Sequence, residues 1–343
     1  MFSFFARRRA ATALINGTAV VVEPRETLLQ AALRQGIDFP HSCRVGGCAS
    51  CKCRLVAGQV RELTETGYIL SDEELDAGYI LACQSLPRGD VRIEVDLSRA
   101  QARRQVRGRV VAQERLTHDI TRLVIQLEES LPYKAGQYAE LGLDALPGHA
   151  RSFSFACRPR PDAKVEFFIR KVPGGRLTGL VDGQSLLGLG ATLEGPLGDF
   201  HLRPAAAPLL LVAGGSGLAP ILALLEEALA AGASRPVSLL FGAREARDLY
   251  CLEAIEALAA QWRAPFRFLQ VLSEAAADAD WQGARGWITE HIPAWLEDGA
   301  HAYLCGPPAM IDSAVALLRE RGVAHEHIHA DRLITRHGPL AAA

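Results

Sequence analysis

Neither sign of charge dominates this 343-residue chain: 37 basic residues face 39 acidic ones, for a formal charge of -2. No global field drives it onto nucleic acid or an anionic membrane. Cysteine is also sparse, eight in all, far below the density of a small disulfide-stapled scaffold. Internal repeats and low-complexity tracts are missing, and 31 Gly with 18 Pro is an ordinary content, so collagenous, coiled-coil and disordered classes are excluded. An uninterrupted apolar span is missing too. The 22 uncharged residues between Arg203 and Glu226 would pass a length test for a membrane helix. They are broken by Gly214-Gly215-Ser216-Gly217 and by prolines on both sides, which fits a buried strand, a turn and a helix better. The start, MFSFFARRRAATA, puts apolar residues ahead of the arginines, the reverse of a secretory signal. The expectation is a cytoplasmic protein whose thiols stay reduced.

What is present is organised in three stretches. The first opens with β-rich runs at Ala13 to Ile15 and Thr18 to Val22, joined by the hairpin dipeptide Asn16-Gly17. A helix is expected from Thr27 to Gln35, then strands near Lys52 to Val56 and Val91 to Val95, with an acidic helix from Ser71 between them. The arginine-rich SRAQARRQVRGR from Ser98 shows no apolar periodicity and reads as a linker, with domains at 1–98, 105–204 and 205–343 and the linker at 99–104. From about Arg107, alternating runs such as Leu123 to Leu127 and Val165 to Ile169 suggest an antiparallel β domain or barrel. From Pro208 on, strands alternate with helices, which argues for a doubly wound parallel sheet.

Four of the eight cysteines fall between Cys43 and Cys53. Cys43, Cys48 and Cys51 are spaced C-x4-C-x2-C, and Cys83 follows 32 positions after Cys51, the plant-type spacing for a 2Fe-2S cluster. The loop PHSCRVGGCASC is rich in small residues, so its backbone can wrap closely and aim N–H groups at sulfur. A zinc knot is the alternative, but zinc sites usually pair two C-x2-C units and only one occurs here. Cys53 reads as a small buried hydrophobe, not a ligand.

Other signals are weaker one by one. Arg151-Ser152-Phe153-Ser154 offers a guanidinium for a phosphate and a flat ring face. Gly174-Gly175-Arg176-Leu177-Thr178 leads into a short helix whose N-terminus could take a pyrophosphate. Each also fits a solvated loop. The strand Leu211 to Ala213 runs into Gly214, Gly215 and Gly217, which is not a strict G-x-G-x-x-G fingerprint. Phe241-Gly242-Ala243-Arg244 and Cys305-Gly306-Pro307-Pro308 also sit at C-terminal strand ends, where doubly wound sheets bind ligands.

Taken together, and with the segments QGIDFPHSC, FGAREARDLYCLEAIEAL and YLCGPPAMID followed by HADRL, the chain resembles the NADH-dependent reductases of bacterial multicomponent oxygenases over nearly its whole length. The likeness is strongest to members serving alkyl-aromatic, xylene-type systems. It implies a β-grasp ferredoxin domain, an antiparallel β-barrel FAD domain and an NAD domain. It further implies Cys43, Cys48, Cys51 and Cys83 as cluster ligands, Arg151, Phe153 and Ser154 around the flavin, and Gly175 and Thr178 at its pyrophosphate. Gly214, Gly215, Gly217, Arg244, Gly306 and Pro307 would hold the dinucleotide, with Ser154 and Cys305 at the hydride-transfer centre. Two positions depart from the family. Phe153 replaces a usual Tyr, losing a hydrogen bond worth about 0.5–1.5 kcal/mol. Leu333 replaces an aromatic residue expected over the flavin.

The same resemblance supplies a mechanism: a nicotinamide gives two electrons at once, a cluster takes one, and a flavin between them reconciles the two. The expected acceptor is a terminal oxygenase or hydroxylase. A non-oxygenase acceptor such as a deoxysugar dehydratase, or a redox-sensing module, is the alternative. No Arg or Lys pair is set for a 2'-phosphate, so NADH is the expected donor. The reading is of a monomer, with FFARRR a weak signal for touching a membrane beside an integral hydroxylase.

Overall fold

The computed structural model describes residues 10–67, 69–100, 103–274, 281–335 and 338–339, so the FFARRR segment lies outside the described residues. The chain divides into two compact units, residues 1–101 and 102–343.

In the first unit, Asn16 and Gly17 take left-handed backbone angles (φ 48° and 87°), closing a two-residue hairpin between Ala11–Ile15 and Thr18–Val22. The Asn16 side-chain amide then donates to the Val95 carbonyl and accepts from its N–H, at 2.8 and 2.9 Å. This side chain helps seat the last strand of the sheet, Val91–Glu94, which runs parallel to Ala11–Ile15. The five-stranded order is Thr18–Val22, Ala11–Ile15, Val91–Glu94, Lys52–Ala57 and Tyr79–Leu81. Helix Leu28–Arg34 starts where expected because Thr27 and Gln30 form a capping box. It buries Leu28, Leu29, Ala31 and Ala32 in a core shared with Ile15, Phe39, Leu81 and Ile93.

The second unit begins inside the arginine-rich segment, at residue 102, and the later half of that segment is strand. A short 3-10 turn covers Leu97–Arg99, residues 101 and 102 lie outside the described residues, and Arg104–Arg115 is a twelve-residue strand. Val106 and Val110 point into the core while Gln105, Arg107 and Arg109 face out. Gly108 stands at the inward position between the two valines, so the alternation is nearly invisible in sequence. A β-carbon at Gly108 would fall 2.7 Å from the Gln126 carbonyl oxygen. The six strands order as Arg151–Ser154, Tyr138–Leu143, Gly190–Leu197, Arg104–Arg115, Ile120–Leu127 and Lys164–Arg170, all antiparallel. A bridge between Phe155 and Phe167 brings the two ends together into a nearly closed barrel.

The rest of the unit is a parallel sheet ordered Ala284–Arg285, Phe266–Leu272, Val237–Ala243, Leu209–Gly214, His301–Gly306 and Ile328–Arg332. Helices Leu218–Ala230, Leu252–Gln261, Ile288–Trp295 and Pro308–Glu320 connect the strands. Chain order reverses between Leu209–Gly214 and His301–Gly306, so the crevice of this sheet opens where those two strands end. Barrel and sheet are not loosely joined. Ile120, Ala156, Phe168 and Phe200 of the barrel lie in one apolar core with Leu211, Leu222, Phe241 and Tyr303 of the sheet.

An ionic chain reinforces that seam. Glu166, buried in the barrel wall, accepts from Arg122 at 2.8 Å and Arg160 at 2.5 Å. Arg160 also pairs with Glu226 of the sheet domain, and Glu226 accepts the Arg158 N–H at 3.0 Å. Burial alone would push Glu166 up, but the two arginines outweigh it and hold the carboxyl below its ordinary value of 4.5. A depressed carboxyl contributes stability that is present above that ordinary value and is lost as pH falls through the lower folded value. Glu166→Gln is therefore expected to destabilise the second unit by about 1–3 kcal/mol at neutral pH, since both arginines still reach water. Thermal unfolding of variant and parent should converge as pH drops below 4.5; a constant gap down to acid would refute the assignment.

Candidate functional site

The cysteine loop is shaped by left-handed backbone at Arg44, Gly46 and Ala49 (φ 59°, 81° and 52°). Gly46 is required by packing as well, because a β-carbon there would meet Gln84 Cγ at 2.8 Å. The turns aim amides at sulfur: Gly47 N–H and Val45 N–H donate to Cys43 Sγ at 3.2 and 3.5 Å, and Cys43 N–H donates to Cys48 Sγ at 3.4 Å. On the other side Cys83 N–H donates to Cys51 Sγ at 3.4 Å, and the Gln84 amide donates to Cys83 Sγ at 3.5 Å. The thiols fall into two hydrogen-bonded pairs. In the first, the bond from Cys43 holds Cys48 down to about 6, and Cys43 as donor is pushed up. In the second, the bond from Cys51 lowers Cys83 and Cys51 is pushed up. Two thiol pairs surrounded by inward N–H groups suit a two-iron cluster with two ligands on each iron. Cys53 stands apart in its strand, paired in register with Ile80 and pushed up to about 12 by burial, as a packing residue would be. Sequence reasoning did not single out Ser50 or Gln84, whose side chains hydrogen-bond Cys48 and Cys83.

On the barrel, Arg151, Phe153 and Ser154 lie on the edge strand Arg151–Ser154, in register with Leu141, Ala139 and Tyr138. All three are half-buried. One Nη of Arg151 donates to the Ala150 carbonyl, and among the described residues no carboxylate pairs with the guanidinium. A half-buried cation without a counter-ion suits an anionic ligand. Gly175 precedes the helix Arg176–Gly183, and no side chain fits there: a β-carbon would lie 2.4 Å from Thr178 Oγ1. Thr178 is turned inward, accepting from the Val172 N–H at 3.1 Å and donating to the Gly175 carbonyl at 3.4 Å. Its hydroxyl thus shapes the loop, and the unpaired N–H groups of the first helical turn are the donors left for a phosphate.

At the sheet crevice, the glycines serve loop-to-loop contact. A β-carbon at Gly217 would lie 2.1 Å from the Cys305 carbonyl oxygen, one at Gly214 would lie 2.7 Å from Met310 Sδ, and one at Gly306 would lie 3.1 Å from the Gly214 nitrogen. The two turns of the switch point therefore touch backbone to backbone. Pro307 leads into helix Pro308–Glu320, and the Leu333 N–H donates to the Gly306 carbonyl at 2.9 Å, drawing the segment after the last strand onto the same turn. Cys305 is fully buried, and burial pushes its thiol well above the ordinary range, so it remains protonated. Arg244 stands at the end of Val237–Ala243, 3.9 Å from Asp248.

Three family models match: a 2Fe-2S iron-sulfur cluster binding domain at residues 14–88, an oxidoreductase FAD-binding domain at 107–202 and an oxidoreductase NAD-binding domain at 211–316. The chain is 41% identical, over 91% of its length and 89% of the relative's, to the xylene/toluene monooxygenase electron transfer component of Pseudomonas putida. It belongs to the reductase components of multicomponent oxygenases. Another relative in this family is the phenol 2-monooxygenase reductase component of Pseudomonas sp. strain CF600, 36% identical over 93% of each chain. Among solved structures, an Amycolatopsis cytochrome P450 reductase superposes with a TM-score of 0.69 at 34% identity, covering 94% of this chain and 98% of that one. A ferredoxin reductase of carbazole 1,9a-dioxygenase gives the same TM-score at 30% identity, with the same coverage. The reductase thus carries all three expected cofactor domains in one chain, with the ferredoxin, barrel and doubly wound sheet architecture expected of them. Among its described residues no helix is long and apolar enough to cross a membrane.

Proposed function

We propose that this reductase takes hydride from NADH at the crevice between barrel and parallel sheet. In this reading it delivers single electrons, through the cysteine loop, to the terminal hydroxylase of an aromatic or alkyl-aromatic oxygenase. The observation that carries the reading is the presence in one chain of two N–H-lined thiol pairs, a barrel arginine with no carboxylate partner, and a backbone-packed glycine turn at a topological switch point. When bound, a flavin accepts a two-electron donor and releases its electrons singly, which is the conversion these sites require.

The chain's own residues then divide the work. Arg151 supplies charge for the flavin's phosphate, Phe153 and Ser154 line its edge, and the turn from Gly175 to Thr178 offers N–H donors to the pyrophosphate. Gly214 and Gly217, by packing on the Cys305–Pro307 turn, shape the seat of the dinucleotide with Gly215 between them, and Arg244 lies at the neighbouring strand end. Cys305, Gly306 and Pro307 wall the nicotinamide side, with Leu333 drawn onto the same turn. The buried neutral thiol of Cys305 acts there by shape and position, not as a nucleophile. Cys43, Cys48, Cys51 and Cys83 are the four cluster ligands. Catalysis rests on proximity and orientation, and no acid–base triad is needed. The protein acts as a cytoplasmic monomer, and any membrane contact is peripheral.

The decisive measurement is the visible spectrum of the purified protein. Flavin bands and iron–sulfur absorption should both be present, and anaerobic NADH should bleach both, with NADPH less effective. A correctly folded but colourless protein would refute the reading.

A further inference from the structure

Tyr250 was given no role by the sequence, yet it joins three parts of the second unit. It is 4% exposed, and its hydroxyl donates to the Gly215 carbonyl at 3.0 Å. Its ring meets Phe241 of the sheet and Phe168 of the barrel edge-on, each at 5.6 Å between centroids. The next residue, Cys251, takes a left-handed angle (φ 56°) and begins helix Leu252–Gln261, so the chain turns immediately after the tyrosine. Gly215 is itself left-handed at φ 55° and is pressed from the barrel side by Arg170, whose Nη1 would stand 3.2 Å from a β-carbon there. The same carbonyl also accepts the Leu218 N–H.

A peptide unit is planar and trans, so the direction of the Gly215 carbonyl fixes the Ser216 N–H in the opposite direction. A glycine at positive φ has neighbouring conformations within easy reach, and an external hydrogen bond selects one of them. We propose that Tyr250 is a positioning residue that holds the Gly215–Ser216 peptide with its N–H presented to the bound dinucleotide, while its ring ties that turn to the flavin barrel. This rests on the function proposed above. Burial pushes the Tyr250 hydroxyl well above its ordinary value, so it stays protonated and able to donate throughout the working range.

The test is Tyr250→Phe in the full-length, cofactor-loaded protein, which keeps both ring contacts and removes only the hydroxyl. NAD+ binding by calorimetry should weaken about 3- to 10-fold, the loss expected for one hydrogen bond. Amide exchange at residues 215–218 should quicken, KM for NADH should rise with the binding constant, and kcat should change less than about twofold. FAD content should match the parent, and Tm should fall by only the few degrees that one hydrogen bond is worth. Tyr250→Leu, which also removes the ring contacts, should in addition slow flavin reduction. Parental NAD+ affinity and parental exchange at residues 215–218 in Tyr250→Phe would overturn the proposal and leave Tyr250 as packing alone. A parent protein that itself fails to bind NAD+ would overturn the functional reading together with it.

Discussion

Cys83→Ser should yield a protein that still oxidises NADH with ferricyanide but delivers no electrons to an oxygenase. Cys83 sits in the buried 3-10 turn Ala82–Gln84, remote in sequence from the other three thiols, and is held to Cys51 by a backbone bond to the Cys51 sulfur. Serine fits that turn but supplies a poorer ligand to iron than a thiolate. Loss of one of four ligands should abolish the cluster, and with it the iron–sulfur absorption. The barrel and parallel sheet form their own compact unit with their own cores, so the change should leave that unit nearly untouched. NADH-to-ferricyanide turnover should stay within about twofold of the parent, the scatter usual for independent sites. Loss of bound FAD in this variant would show that the two kinds of chemistry are not divided between the two units as proposed.

Gly217→Ala should have the opposite profile. A β-carbon 2.1 Å from the Cys305 carbonyl oxygen cannot be absorbed by a rotamer change, because alanine has no rotamer and the atom it meets is backbone. The two turns must separate, at a cost of about 1–3 kcal/mol for overpacking a tight site. A shift of about 1 Å in a hydride donor's seat can cost roughly 100-fold in rate. NADH-driven flavin reduction should fall on that order, while reduction by dithionite, flavin content and cluster absorption stay as in the parent. An alanine variant with parental hydride-transfer rate would mean that the contact between the turns relaxes freely.

Much of this was legible in the sequence, for physical reasons that can be named. Asn16-Gly17 is the dipeptide for left-handed turn residues, and the Thr27 cap is written in its spacing from Gln30. The thiol spacing is set by metal geometry, and hence readable without a fold. Fully buried strands such as Leu209–Gly214 announce themselves as apolar runs. Other elements carried no such mark. Arg104–Arg115 hid because its outward face is arginine and its inward face includes a glycine, and Ile328–Arg332 hid because that strand is only half-buried and reads IHADR. The glycines at 214, 215 and 217 were legible as a turn after a buried strand, but which backbone Gly217 packs against, that of Cys305, was not. Nothing in a linear string indicates that Tyr250 meets Gly215, thirty-five positions earlier.

The common apolar core of barrel and parallel sheet has a consequence for how such a chain can change over time. A core built from Phe168 and Phe200 on one side and Leu222 and Tyr303 on the other cannot be exchanged by halves, since each half would arrive with a surface fitted to a different neighbour. The cysteine unit has a core of its own, within residues 13–95. On the function proposed above, recombination near residue 205 would break the part that takes electrons from the dinucleotide, whereas no core of the cysteine unit extends past residue 95 to be cut by recombination near residue 101.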